Sequence, residues 1–238
     1  MRADVVFLPS ELKPSHLEGR VVVVLDILRA TTTIAAALSA GVEQILIFPD
    51  IESVRRAKVH IPAALSCGEQ NCFKPIGFDL GNSPGDLGPG HIGKTLLMST
   101  TNGTKAILAA RGAARIFTGA LVNSRAVAEK IRQIGMDVTL LCAGTNEKLA
   151  TEDVIGAGAL IRSLGDDIEL ESDAAVLARQ HFKSSGDNLL PILRSAAGGQ
   201  NLIGANLAKD IDFAARMDII NAVGEVKDGE PIRIVRAG

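Results

Sequence analysis

Residues 21–25 read VVVVL, five consecutive apolar residues of which four are β-branched, and they leave this chain few ways to fold. Side chains branched at Cβ suit an extended backbone. A strand that is apolar at every position, with no polar alternation, is buried on both faces of its sheet. The run then stops on Asp26, followed by Arg29 and by Thr31, Thr32 and Thr33. An ionised carboxylate inside such a strand would be costly unless paired or bound to a metal. Asp26 therefore belongs at the strand's end.

Further strand-like runs fall at 44–48, 63–67, 95–99, 115–118 and 137–142, separated mostly by alanine-rich segments of helical periodicity. Helices predicted over 31–40, 104–111 and 124–134 are each followed by a glycine, Gly41, Gly112 and Gly135. This alternation predicts an α/β fold, a layered α/β/α arrangement around a largely parallel or mixed sheet. After Gly144 the texture becomes helix-rich, and residues 217–235 close the chain with a pair of strands expected at the sheet's edge. Residues 1–238 are expected to form a single compact domain, with any division into two lobes near 136–150.

The composition suits that architecture. The chain is 47% hydrophobic with no Trp or Tyr, and its formal net charge is −2. Without a basic run or stacking aromatics it lacks the features of a nucleic-acid binder. No apolar run reaches membrane-spanning length and no secretory leader is evident, so no membrane is expected and the default location is cytoplasmic. Three cysteines, Cys67, Cys72 and Cys142, form no paired framework, and the four histidines lack zinc-ligand spacing.

In an open parallel sheet ligands bind beyond the carboxyl ends of the strands. The residues found there are polar and acidic: Asp26 and Arg29, then Glu69, then Thr100 to Thr104, then Thr145, Asn146, Glu152 and Asp153. Carboxylates are ordinary Mg²⁺ ligands, and hydroxyls and helix N-terminal amides suit phosphate oxygens. Singly, each residue could equally cap a helix; together they suggest a metal-assisted phosphate site. The stretch GFDLGNSPGDLGPG, residues 77–90, crowds Asp79, Asn82, Ser83 and Asp86 among turn formers. It reads either as Asx-type turns or as a ligand loop in which Asp79 is a metal or acid–base carboxylate. GPGHIGKT at 88–95 matches the nucleotide phosphate-loop pattern, but it follows a loop and leads into a strand-like run rather than a helix, which disfavours a nucleotide hydrolase.

The ordered segments DILRATTT (26–33), GE (68–69), GFDLGNSP (77–84), TTNGT (100–104) and EDVIGAG (152–158) resemble the 2-phosphosulfolactate phosphatase family over nearly the whole chain. The resemblance implies a Mg²⁺-dependent phosphatase acting on phosphate monoesters of 2-hydroxy carboxylic acids, with 2-phosphosulfolactate converted to 3-sulfolactate on the way to coenzyme M. One departure is GEQNCFKP, where the family usually continues the glutamate with an arginine; Gln70 offers no charged fork for a second anion. Asp26, Glu69 and Asp79 are the expected catalytic residues. Arg29, Thr31, Thr32, Asn82, Ser83, Asn102, Gly103 and Thr104 are the expected substrate contacts. Mg²⁺ is expected on carboxylates from Asp26, Glu69, Asp79, Glu152 and Asp153. The partner is a small phosphorylated hydroxy acid, with a homo-oligomer left open. The rival is a non-catalytic binder of phosphorylated metabolites at the same rim.

Overall fold

The computed structural model describes residues 1–186 and 188–238. Among the described residues, ten strands hydrogen-bond into one sheet. The first half of the chain runs β1 (Arg2–Val6), β2 (Val21–Leu25), α1 (Ala30–Ser39), β3 (Gln44–Ile47), α2 (Ile51–His60), β4 (Leu65–Gly68), β5 (Thr95–Ser99), α3 (Gly103–Ala109) and β6 (Arg115–Gly119). It continues through α4 (Ser124–Ile134), β7 (Val138–Cys142), α5 (Thr151–Leu164), β8 (Glu169–Leu170), α6 (Asp173–Ser185), α7 (Leu190–Ser195), α8 (Ala197–Gly204), α9 (Ala208–Ala214), β9 (Gly224–Lys227) and β10 (Ile232–Arg236). The α/β expectation and the helix-rich C-terminal part hold. The predicted strands and helices fall within two or so residues of those observed, as helix and strand ends ordinarily do.

Every residue from Val21 to Leu25 is fully buried. Parallel partners β6 and β7 flank this strand, and α5 packs against it. A continuous apolar run is what such an environment requires, because neither face meets water.

The order across the sheet is β4-β5-β3-β10-β9-β6-β2-β7-β1-β8. Within β4-β5-β3 all pairings are parallel, and so are those within β6-β2-β7-β1-β8. The hairpin β9–β10 lies between these halves, antiparallel to its neighbour on each side and antiparallel within itself. Three successive reversals leave the two parallel halves running in opposite directions. The closing strand pair is thus at the sheet's centre, not at its edge as its position at the chain end suggested. The crossovers leave β3 and β6 each with an unpaired side, and the hairpin satisfies both.

In a flat sheet, opposed halves would send their carboxyl ends apart. The ordinary twist of about 20–25° per strand accumulates over the seven steps from β4 to β7 to about 140–175°. That rotation turns the two sets of carboxyl ends back toward one another. The functional rim is therefore assembled from two half-sheets, where the sequence suggested one continuous rim.

Candidate functional site

Asp26 leaves β2 and stays buried at 7% exposure. Its Oδ1 accepts the Ala30 amide at 3.1 Å, and its backbone amide and carbonyl are both bonded by the Thr31 hydroxyl, at 3.0 and 2.9 Å. Burial, reinforced by the charges of Glu69 and Glu152 and only partly offset by the Ala30 amide and Arg29, pushes the Asp26 carboxyl up to about 7. Gly103 at the start of α3 makes the close approach possible. A Cβ there would stand 2.5 Å from the Ala30 Cβ and 2.7 Å from Asp26 Oδ2.

Glu69 follows β4 and bridges two segments: its Oε1 accepts the Thr101 amide at 2.7 Å and its Oε2 the Cys72 amide at 2.9 Å. Asp153, at the start of α5, accepts the Ile27 amide at 2.9 Å on one oxygen and the Gly144 amide at 3.0 Å on the other. It ties the chain after β2 to the chain after β7. Burial, with the Asp26 and Glu152 charges, drives its carboxyl well above the usual range despite those amides. Glu152 is also raised by burial. Its Oε1 packs against Gly198 of α8 so tightly that no Cβ could be placed there, while its Oε2 is buried without a partner among the described residues. Carboxyls this buried and this close share protons rather than all ionise.

Arg29 is engaged on three sides. Nη1 donates to Asp210 Oδ2 at 2.7 Å and to Ser83 Oγ at 3.2 Å, and Nη2 donates to the Cys72 carbonyl at 2.7 Å. Ser83 Oγ in turn donates to Asp210 Oδ2 at 2.8 Å. The guanidinium thereby clasps the chain after β2 to the 72–83 segment and to α9, and three of its five N–H donors are taken.

An inner cleft of about 50 Å³ is lined by Asp26, Leu28, Arg29, Glu69, Cys72, Asn82, Asn102, Thr145, Gly198, Asn201 and Leu202. It opens into a vestibule of about 340 Å³ that shares Glu69, Cys72, Asn102, Thr145 and Asn201 and adds Asn71, Phe73, Thr101 and Asn146. The first half-sheet supplies Glu69 and Asn102, and the second supplies Asp26 and Thr145, so the cleft is the meeting place of their carboxyl ends. Asn82 Oδ1 is buried without a partner among the described residues.

Several expected residues are occupied elsewhere. Thr32 donates to the Ile27 carbonyl, Thr33 to the Asn82 carbonyl, and Thr104 exchanges hydrogen bonds with Thr100. These hydroxyls organise the turns and helix starts around the cleft. Asp79 does not line the cleft. Its Oδ2 accepts Lys58 Nζ at 2.9 Å and the Ser66 amide and hydroxyl at 2.8 and 2.7 Å. Asp86 and the phosphate-loop look-alike also lie outside it, and residues 89–91 form a 3₁₀ turn that leads into β5. Among the residues that build the site, Gly198, Asn201 and Asp210 were not singled out by sequence. The signal that could have pointed to α8 is the pair Gly198 and Gly199 inside a helix, where glycine is costly without a packing reason.

Among the described residues, no three His, Cys, Asp or Glu side chains stand together at metal-ligating spacing. Mg²⁺ nevertheless keeps several waters and takes one or two carboxylates plus substrate oxygens. Glu152 Oε2 and Asn82 Oδ1, without a partner among the described residues, and the destabilised Asp26 carboxylate are each hard-oxygen donors of the type that Mg²⁺ takes. A larger hollow of about 590 Å³ beside Arg162, Arg179 and Lys183 sits by the carboxyl ends of α5 and α6. There, cations complement the helix dipoles.

The sequence model of the 2-phosphosulpholactate phosphatase family matches residues 6–229. The chain belongs to this family of phosphoric monoester hydrolases. It is 39% identical to the "Probable 2-phosphosulfolactate phosphatase" of Carboxydothermus hydrogenoformans, covering 94% of this chain and 93% of that one. The correspondingly named proteins of Synechococcus sp. and Clostridium beijerinckii are 38% and 34% identical, the former covering 90% of this chain and 91% of the relative, the latter 97% and 98%. Among the described residues no helix is long and apolar enough to cross a membrane.

Proposed function

We propose that the protein is a Mg²⁺-dependent phosphatase hydrolysing phosphate monoesters of 2-hydroxy carboxylic acids, a class that includes the 2-phosphosulfolactate for which its relatives are named. The observation that carries the metal requirement is the charge balance of the cleft. Asp26 and Glu69 line it, Glu152 stands against Gly198 beside it, and the one cation among its lining residues, Arg29, is already paired with Asp210. A phosphate dianion entering such a cleft needs a further positive charge.

Asp26, Glu152 and Asn82 are the residues that would hold the ion. Bound Mg²⁺ supplies neutralisation of the phosphate and polarisation of the attacking oxygen. Asp26 presents its carboxylate from a rigid turn, fixed by Ala30 and Thr31, and is the residue placed to act on phosphorus or on the attacking water. The remaining Arg29 donors and the Asn102 end of α3 receive phosphate oxygens. Glu69 and Asp153 act through the backbone, holding the segments on which these groups ride. Three free thiols accord with a cytoplasmic setting.

The test has two readouts. Phosphate release from 2-phospholactate and 2-phosphosulfolactate should require Mg²⁺, and Mg²⁺ should raise the melting temperature of the wild type but not of Asp26→Asn. Saturable binding without product would instead establish a metabolite binder. A melting temperature indifferent to Mg²⁺ would remove the metal from the mechanism.

A further inference from the structure

The vestibule adjoins a further hollow of about 530 Å³, which shares Glu69, Asn71 and Thr101 with it and adds Arg55, Gln70 and Lys105. Cleft, vestibule and hollow follow one another along the segments after β4 and β5. Asn102 lines the first two, Thr101 the last two, and Lys105 the third. Lys105 stands in the first turn of α3, four residues on from Thr101 and three from Asn102. Residues at such spacing share one side of a helix, and helical side chains lean toward the N-terminal end. The stem of Lys105 therefore runs back toward Thr101 and the vestibule.

Three acids and two bases line the hollow, and all but one of them are committed. Asp50 caps α2 by accepting the Ser53 amide at 2.7 Å. Arg55 Nη1 donates to Glu52 Oε1 at 2.6 Å, and its Nη2 donates to the Ile76 carbonyl at 3.1 Å. Glu69 has both oxygens on backbone amides, those of Thr101 and Cys72. Lys105 is exposed, and among the described residues its ammonium has neither a hydrogen-bond nor an ion-pair partner.

An ammonium on a flexible stem is a mobile point charge with three donors, suited to a compact anion that arrives with the substrate. The lining of the vestibule itself holds no lysine or arginine, and Gln70 adds no charge beside Glu69. We infer that Lys105 receives the sulfonate of 2-phosphosulfolactate and so sets the preference for that ester over 2-phospholactate, which lacks the group. Lys105 thereby supplies from α3 the charge that Gln70 does not offer. The phosphate stays in the inner cleft, on Arg29 and Asn102, and the body of the ester extends past Thr101. The inference rests on the phosphatase reading for its reaction, and on the hollow for its specificity.

The experiment measures kcat and KM for both esters in Mg²⁺ with wild type, Lys105→Ala, Lys105→Arg and Lys105→Glu. Wild type should prefer the sulfonated ester. Lys105→Ala should lower kcat/KM for that ester roughly fivefold, chiefly through KM, the worth of an exposed ion pair, and for 2-phospholactate by less than about twofold. Lys105→Glu should lower it roughly twentyfold, because a repulsion of similar size replaces the attraction. Lys105→Arg should stay within about twofold of wild type, and added salt should shrink the gap between wild type and Lys105→Ala. Equal losses on both esters, an unchanged ratio between them, or a wild type that prefers 2-phospholactate overturns the inference. If wild type turns over neither ester, the phosphatase reading falls, and calorimetric titration of both intact esters into wild type and Lys105→Ala in Mg²⁺ decides. A loss of affinity confined to the sulfonated ester upholds the role of Lys105, while equal losses, no loss, or no binding of either ester overturns it.

Discussion

Asp26 and Asp79 are both aspartates placed just off the sheet in polar, turn-rich sequence, and the fold sets them in opposite states. Asp26 is buried among other acids, and its carboxyl is pushed up to about 7. Asp79 is partly exposed, and Lys58 with both groups of Ser66 overcomes its burial and holds it down at about 2. An acid whose surroundings stabilise its charge completes a structure. An acid whose surroundings oppose its charge gains by meeting a cation or a proton, which is what a catalytic centre supplies. The difference lies in the partners: a lysine with the amide and hydroxyl of Ser66 on one side, and fellow carboxylates that outweigh a single amide on the other.

Removing the charge at Asp26 gives the largest expected effect. Asp26→Asn keeps the acceptor for the Ala30 amide but should lower kcat by about a thousandfold or more. The same variant should be more stable than wild type in metal-free buffer at pH 8. The folded chain holds the Asp26 proton more tightly than the unfolded chain does, so wild-type stability falls as pH rises from about 4 to about 7, while the variant lacks that slope. The gain should reach roughly 2–4 kcal/mol at pH 8 and vanish at pH 4, read by urea titration in EDTA. A variant that keeps its activity and loses stability would make Asp26 another Asp79.

The clasp at Asp210 comes next. Arg29 and Asp210 are both nearly buried, and breaking such a pair from one side leaves an uncompensated charge. Asp210→Ala should cost about 3 kcal/mol by urea titration. Arg29→Met with Asp210→Leu should recover most of that stability without recovering turnover, because the substrate-facing donors are gone. Gly198→Ala should follow at about 1–3 kcal/mol, since its Cβ would overlap Glu152 Oε1 and push that carboxylate aside. Activity should fall with it. If Gly198→Ala is fully active, Glu152 does not hold the metal.

The contrast also marks what could be read from sequence. The continuous run at β2 and its helix-separated companions were legible because local patterning reports burial. The place of β9 and β10 was not, because pairing the hairpin with β3 and β6 joins residues more than a hundred positions apart. The reversal of strand direction it imposes was hidden for the same reason. Asp26, Glu69 and Asn102 stood out by following strands. Asp210 and Asn201 lie on the short helices α8 and α9, and nothing local says that these helices cover the cleft. β1 escaped notice because Asp4 interrupts a short strand; that carboxylate accepts the Val5 amide and the Ser172 hydroxyl at the sheet's margin.

The smallest effect belongs to Asp79, and it is the one that closes the contrast. Its carboxylate is about two-fifths exposed, so its ion pair with Lys58 is screened, and the hydrogen bonds from Ser66 are what an amide could partly replace. Asp79→Asn should therefore cost no more than about 1 kcal/mol at pH 7 and leave kcat/KM within about twofold of wild type. The pH dependence should have the opposite sign to that at Asp26. Because folding lowers the Asp79 carboxyl, its contribution is complete above the unfolded value near 4 and disappears as pH falls through about 2. Wild type and Asp79→Asn should accordingly converge in stability in acid, where wild type and Asp26→Asn converge as well, and only the Asp26 pair should diverge in favour of the variant toward pH 8. A thousandfold loss of turnover in Asp79→Asn would place the chemistry in the 77–90 loop and reverse the assignment of the two corners.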